Sequence, residues 1–140
     1  MHLVVDASAL VEYLLGTSRG GLVRGAIETA ADLIHAPALC DVEVASILRR
    51  AVMREGLAPH RAVDALIDLL DLDIERHGHL GLLGRIFALR ENFSAYDATY
   101  VALAEELEAK LVTADALLIR SVRKHLDVPL IDASATALGR

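Results

Sequence analysis

The chain has 140 residues and a mass of 15.1 kDa, enough for one domain and too short for two, so any functional site must be built within a single core. Hydrophobic residues make up 54% and charged residues 24%, with a mean hydropathy of +0.43, which excludes wholesale disorder. The formal net charge of −6 offers no bulk attraction for polyanions, so a nucleic-acid ligand would need metal ions, a local basic patch or both.

A short buried strand is predicted over residues 2–5, where Leu3, Val4 and Val5 run into Asp6, followed by a helix over 9–15. A second helix is predicted over 22–31, and Leu33, Ile34 and His35 read as a strand closed by Pro37. From Cys40 the apolar positions Val44, Ile47, Leu48 and Ala51 recur every three or four residues, the period of an amphipathic helix, which ends near Gly56. Pro59 opens another helix, with Val63, Leu66, Ile67 and Leu70 on one face. A third strand is placed over 72–75, helices over 80–90 and 95–109, a strand over 111–113, a helix over 116–124 and a last strand over 128–131. Strands that alternate with helices or helix pairs are the mark of a parallel sheet covered on both faces.

The lone Cys40 allows no internal disulfide and no cysteine zinc site, and suits a reducing cytoplasm. The first residues run straight into Asp6 and Glu12 without a basic leader, so no secretory signal is expected. Stretches free of Asp, Glu, Lys and Arg, such as Leu33 to Cys40, are far too short to span a membrane. Two Phe, three Tyr and no Trp argue against a stacking platform for single-stranded nucleic acid.

Ligands of open parallel sheets sit where strands end and helices begin. Asp6 and Asp115 occupy two such junctions, and Asp97 lies in the first turn of the 95–109 helix after Ser94. Glu43, one turn from both Leu39 and Ile47, sits on the border of an apolar stripe. Each acid also has a purely structural reading. Asp6 fits an N-cap, Ser94 with Asp97 fits the capping-box spacing, Asp115 suits a helix macrodipole, and Glu43 edges the core within reach of Arg50. Taken together they say more, because the topology brings them toward one place. Carboxylates ~4 Å apart repel by about 4 kcal/mol per pair at an effective dielectric of 20. Either some protonate or a divalent cation sits among them, and an all-oxygen set is what Mg²⁺ or Mn²⁺ prefers.

The order Leu3-Val4-Val5-Asp6-Ala7-Ser8-Ala9-Leu10-Val11, Ala36-Pro37 with Glu43 and Leu48-Arg49-Arg50, Tyr96-Asp97-Ala98-Thr99-Tyr100-Val101-Ala102-Leu103-Ala104, and Leu111-Val112-Thr113-Ala114-Asp115 resembles PIN-domain ribonucleases, specifically VapC-type toxins. The likeness covers nearly the whole chain. It implies a three-layer α/β/α PIN-like domain with a central parallel sheet over residues 1–132, leaving residues 133–140 as a tail that frays. It also implies a metal-dependent endoribonuclease in which Asp6, Glu43, Asp97 and Asp115 hold Mg²⁺ or Mn²⁺ and Ser8 and Thr113 support the site. A homodimer and a cognate VapB-like antitoxin, whose tail occupies the acidic pocket, follow from the same likeness. The pattern does not separate a toxin from a PIN nuclease with a housekeeping role in RNA processing, while the four intact acids argue against an inactive module that only binds metal or RNA.

Arg85 and Arg90, near the helix that delivers Asp97, are the leading phosphate contacts, with surface charge as the alternative. Asp41 is roughly 160° round the helix from Glu43, too far to share a metal directly, and reads as a helix-start charge. Arg120, Arg123 and Lys124 read as a solvated C-terminal helix turn. The six histidines lack the i, i+4 pairing of a zinc helix, and His77-Gly78-His79 reads as a loop. Tyr13, Tyr96 and Tyr100 are assigned to core and rim. No glycine-rich phosphate loop follows Val5. Ser8 stands where an aspartyl-nucleophile phosphohydrolase would carry its second acid. The last strand lacks the lysine of a phosphorylatable receiver.

Overall fold

The computed structural model describes residues 2–29 and 33–135. Strand β1 (Leu3–Val5) leads into α1 (Ala7–Leu15) and α2 (Ser18–Thr29). Then come β2 (Ile34–Pro37), α3 (Leu39–Arg54), α4 (Pro59–Asp71) and β3 (Ile74–His77). A 3-10 turn (Leu80–Leu82) runs into α5 (Leu83–Ala88), followed by α6 (Ala95–Leu107), β4 (Lys110–Thr113), α7 (Ala116–His125) and β5 (Leu130–Asp132).

The five strands form one parallel sheet in the order β3-β2-β1-β4-β5. The chain steps outward on one side through β2 and β3, then crosses over to β4 on the other, so the order reverses between β1 and β4. Right-handed crossovers then place α1 to α4 on one face, where α1 packs on α2, α3 and α4, and the later helices on the other, where α6 packs on β1, β2 and β4. Both strands at the reversal are sealed: Leu3, Val4, Val5, Leu111 and Val112 are buried, as expected for parallel strands covered on both sides. Helix α6 is buried along the whole run Ala98 to Ala104, and its alanines allow it close to the sheet.

Most predicted elements are present, with informative shifts. Helix α2 begins four residues before the expected Leu22, because Thr17 caps it: the Gly20 amide donates to Thr17 Oγ1 at 3.1 Å. The predicted end of that helix, residues 30 and 31, lies outside the described residues. Helix α4 buries Ala62, Ala65 and Leu69, the two alanines letting it sit close on α1 and α3. Of the larger residues of the expected face, Leu66 packs half-buried against the core, whereas Val63, Ile67 and Leu70 stay outside, respectively 55%, 51% and 77% exposed. The single helix expected over 80–90 is a 3-10 turn and a six-residue helix, after which the chain turns to bury Leu89 and Phe93. Strand β3 starts two residues later than expected, which keeps the same face inward because strand side chains alternate but draws His77 into the sheet. Strand β5 also runs later, and Ala133, placed by sequence in a fraying tail, is fully buried with its amide donating to the Thr113 carbonyl at 2.8 Å. Residues 136–140 lie outside the described residues.

The α1–α2 pair depends on one close approach. A Cβ at Gly20 would press into the Glu12 carbonyl and reach Tyr13 Cα at 3.0 Å, whereas a Cβ at Gly21 meets nothing within 4 Å. Gly20→Ala should therefore cost about 1–3 kcal/mol in urea unfolding, while Gly21→Ala should be neutral or stabilise by up to about 1 kcal/mol through helix propensity. Equal effects at the two glycines would refute this packing.

Candidate active site

Asp6 ends β1 and caps α1, with Oδ1 accepting from the Ala9 amide at 3.0 Å. The same carboxylate is 5% exposed and is held from two further directions. Ser8 Oγ donates to Oδ1 at 2.7 Å, and Thr113 Oγ1, from the end of β4, donates to Oδ2 at 2.5 Å. Both hydroxyls are themselves fixed, since the Ala114 amide donates to Ser8 Oγ and the Asp115 amide to Thr113 Oγ1, each at 3.0 Å. The β1 and β4 junctions are thus tied by a hydrogen-bonded mesh at the point where strand order reverses.

Asp115 caps α7 through Oδ1, which accepts from the Leu117 and Leu118 amides at 2.9 and 3.2 Å. Ser94 caps α6 by accepting from the Asp97 amide at 3.1 Å, so the cap falls to the serine while the Asp97 side chain lines the cavity. Glu43 reaches the same place from α3, and the Tyr100 hydroxyl donates to its Oε1 at 2.5 Å. All four acids line one cavity of about 250 Å³, together with Ser8, Ser46, Arg50 and Tyr100. The cap bonds expected at Asp6 and Ser94 are present as well, and Asp115, expected only to favour the α7 macrodipole, caps that helix directly; the structural and functional readings coexist in these residues.

Burial drives the Asp6 carboxyl up from its ordinary 3.8 to about 6, against the lowering effect of its bonds from Thr113, Ala9 and Ser8, and the nearby Asp115 charge adds to the rise. Asp97 is raised too, first by burial and then by the charges of Asp115 and Glu43. The carboxylates therefore feel one another, although no three of them bring an oxygen each within 4.8 Å as the His35, Glu75 and His77 ligand atoms do among the described residues. Burial pushes the Cys40 thiol up to about 12, which makes it a poor nucleophile. Burial also raises the Tyr100 phenol, keeping it a proton donor toward Glu43.

Three cavity residues escaped sequence reading in this role. Ser46 and Arg50 follow Glu43 at i+3 and i+7 on α3, and Tyr100 follows Asp97 at i+3 on α6, so each shares a helix face with an acid. That spacing was the available signal. Arg85 and Arg90 do not line the cavity. Arg85 makes a two-point pair with Glu105 at 2.8 and 3.0 Å. The Arg90 guanidinium lies over the Phe87 ring, 4.6 Å from its centroid. Asp41 is held in a two-point pair by Arg76 at 2.7 and 3.0 Å, away from the cavity. Arg120, Arg123 and Lys124 border a separate shallow pocket with Asp132. The histidines are not all scattered, because β3 carries His77 to His35.

Among the described residues, no helix is long and apolar enough to cross a membrane. The family model for the PIN domain matches residues 3–124. The chain is 46% identical over 113 residues to VapC ribonuclease Mb0985 of Mycobacterium bovis, covering 81% of this chain and 85% of the relative. It is 35% identical over 129 residues to ribonuclease VapC12 of Mycobacterium tuberculosis, covering 92% and 98% respectively. Among solved structures, PAE2754 from Pyrobaculum aerophilum superposes with a TM-score of 0.68 at 20% identity, covering 96% of this chain and 85% of the other. The sarcin-ricin loop cleaving toxin VapC20 of Mycobacterium tuberculosis gives 0.64 at 16% identity, covering 85% and 94%. The matched span contains all four cavity acids, and the chain belongs to the PIN-domain family, among the VapC ribonucleases.

Proposed function

We propose that the chain is a divalent-metal-dependent endoribonuclease that hydrolyses RNA phosphodiesters and serves as the toxin of a toxin–antitoxin pair in the cytoplasm. The observation that carries this reading is the convergence of Asp6, Glu43, Asp97 and Asp115, from four separate segments, on one cavity at the sheet's switch point. The donor set fits Mg²⁺ or Mn²⁺: it is all oxygen, and burial and mutual repulsion make ionised Asp6 and Asp97 costly unless positive charge sits beside them. A cation held by these four acids supplies Lewis acidity toward a phosphodiester.

The chain's own residues prepare the rest. Ser8 and Thr113 hold both oxygens of Asp6 in place, and Tyr100 fixes Glu43 through Oε1. Arg50 at the cavity wall is suited to a substrate phosphate, with Arg90 as an outer contact and Arg85 recruited only by giving up Glu105. Water attacks directly, since Cys40 is buried and protonated and the Ser8 hydroxyl is spent on Asp6. The domain includes Ala133, which is buried and donates to the Thr113 carbonyl, so its boundary lies beyond the expected residue 132. The exposed row Val63, Ile67 and Leu70 of α4 supports a homodimer, since such rows on a soluble protein mark association. The antitoxin presents an Arg or Lys to the acidic cavity, and the pairing weakens as salt rises.

Two measurements check this reading. The raised Asp6 favours the folded state when protonated, so its contribution is complete below its ordinary 3.8 and is lost as pH rises through about 6. In EDTA, the melting temperature should fall between about pH 4 and pH 7 on this account. Millimolar Mg²⁺ or Mn²⁺ should restore it at neutral pH by binding the native state. Asp97→Asn should raise the metal-free value and shrink the metal response, and a metal response of wild-type size would count against the site. In the second, expression of the chain alone should arrest growth and be rescued by a small basic partner that copurifies. Glu43→Gln should relieve the arrest and lower RNA cleavage by about 100-fold or more with the fold retained, and adding Asp6→Asn should do little further. Full cleavage by Glu43→Gln would remove Glu43 from the site, and healthy growth on active enzyme would favour a housekeeping nuclease.

A further inference from the structure

Outside the acidic cavity, the one group of three metal-competent side chains with ligand atoms within 4.8 Å of one another among the described residues lies on the β2–β3 edge of the sheet. In the parallel register His35 stands beside Glu75 and Pro37 beside His77, and Val4 of β1 stands beside His35. Because strand side chains alternate, His2, His35, Glu75 and His77 share one face, and the three imidazoles climb diagonally across three chain segments. His2 Nδ1 lies 2.9 Å from His35 Nε2, and His35 Nδ1 lies 2.8 Å from His77 Nε2 and 3.6 Å from Glu75 Oε2. His35 is 2% exposed, while His2 and Glu75 are exposed and His77 is half-buried.

We propose that His35, His77 and Glu75 form a second metal site, selective for Zn²⁺ or a similar borderline ion such as Co²⁺, with His2 as the residue that orients His35. A hydrogen bond between two ring nitrogens needs one proton and one lone pair. With its single proton on Nε2, neutral His35 donates to His2 and aims its Nδ1 lone pair between His77 and Glu75. This is the arrangement of metal-bound histidines generally, whose far nitrogen donates to a fixed acceptor. Burial lowers the His35 pKa and favours the neutral, ligating ring. The three ligand atoms lie within 4.8 Å of one another. Tetrahedral zinc with bonds of about 2.0–2.1 Å sets its ligands about 3.3 Å apart, between the 2.8 and 3.6 Å already present. Entry of the ion requires His77 to carry its proton on Nδ1 instead of Nε2, an exchange its partial exposure permits without net proton release.

The donor chemistry separates the two sites, since imidazole favours zinc-like ions and all-oxygen cavities favour Mg²⁺ or Mn²⁺. A bound ion would also pin edge strand β3, whose Arg76 holds Asp41 on the helix that delivers Glu43.

Calorimetric titration of Zn²⁺ into untagged protein in millimolar Mg²⁺ tests the proposal, using an Asp6→Asn, Asp97→Asn background to silence the cavity. One equivalent should bind at micromolar or tighter affinity and raise the melting temperature. His77→Ala should weaken binding by about 100-fold and Glu75→Gln by about tenfold; both positions are solvent-accessible, and circular dichroism checks their folding. Co²⁺ should give visible bands that His77→Ala abolishes, and nitrogen-15 spectra should show His35 Nδ1 and His77 Nε2 shifting on zinc addition. In otherwise wild-type protein, His77→Ala should leave Mg²⁺-supported RNA cleavage unchanged, so failure here is separate from failure of the nuclease reading. Absence of binding at about 100 μM Zn²⁺, or undiminished binding in His77→Ala, would reduce the cluster to packed histidines and overturn the proposal.

Discussion

The site depends on one buried carboxylate. Asp6 sits at the end of a sealed strand where an ionised group has little water, and its raised pKa measures that cost. The fold answers with three donors from three places: a helix amide, the Ser8 hydroxyl on the first turn of α1, and the Thr113 hydroxyl on the neighbouring strand. These bonds do not cancel the desolvation. They orient the group, and the remaining imbalance is what makes a cation beside it favourable. A surface aspartate would bind a metal weakly; a buried aspartate without its donors would stay protonated.

The other acids are placed by the elements that surround this point. Reversal of strand order between β1 and β4 opens the space, and the Asp6 and Asp115 caps fall on its two sides. Helix α6 can cross that opening because its alanines bring its axis close to the sheet, which carries Asp97 and Tyr100 inward together. Helix α3 closes the third side with Glu43, anchored by the Tyr100 hydroxyl and, two residues earlier on the far side of the helix, by the Asp41–Arg76 pair with the edge strand. Stability and function are therefore coupled in the same residues, since the groups that cap helices also build the cavity.

The order of strands and helices was legible because β1, β2, β4 and β5 carry short apolar runs closed by an acid or a proline, whereas β3, Ile74–His77, holds one buried apolar residue among polar ones and was placed two residues early. Asp6 and Asp115 stood out as acids at strand-to-helix junctions. Glu43 and Asp97 were legible mainly through the family likeness, since periodicity alone left Glu43 on the border of a stripe. Tyr100 was hidden because its hydroxyl and its apolar ring belong to different environments, and a sequence shows only that the residue is amphipathic. The α4 face was misread because large apolar residues were expected inward, while the close contact with α1 and α3 selects Ala62 and Ala65. The histidine cluster was invisible for a different reason. Its members meet only through the register of β2 and β3, and a strand start misplaced by two residues left His77 in a loop.

The claim that the four carboxylates form a single cation site is tested most directly by anomalous diffraction from crystals soaked in Mn²⁺, with data collected at the manganese edge. The account predicts a peak in the cavity between Asp6 and Asp97, with Asp115 and Glu43 at direct or water-bridged distance, and its loss in Asp97→Asn crystals grown the same way. Manganese density confined to the surface, or an empty cavity in which Asp6 and Asp115 make only their helix-cap bonds, would contradict it.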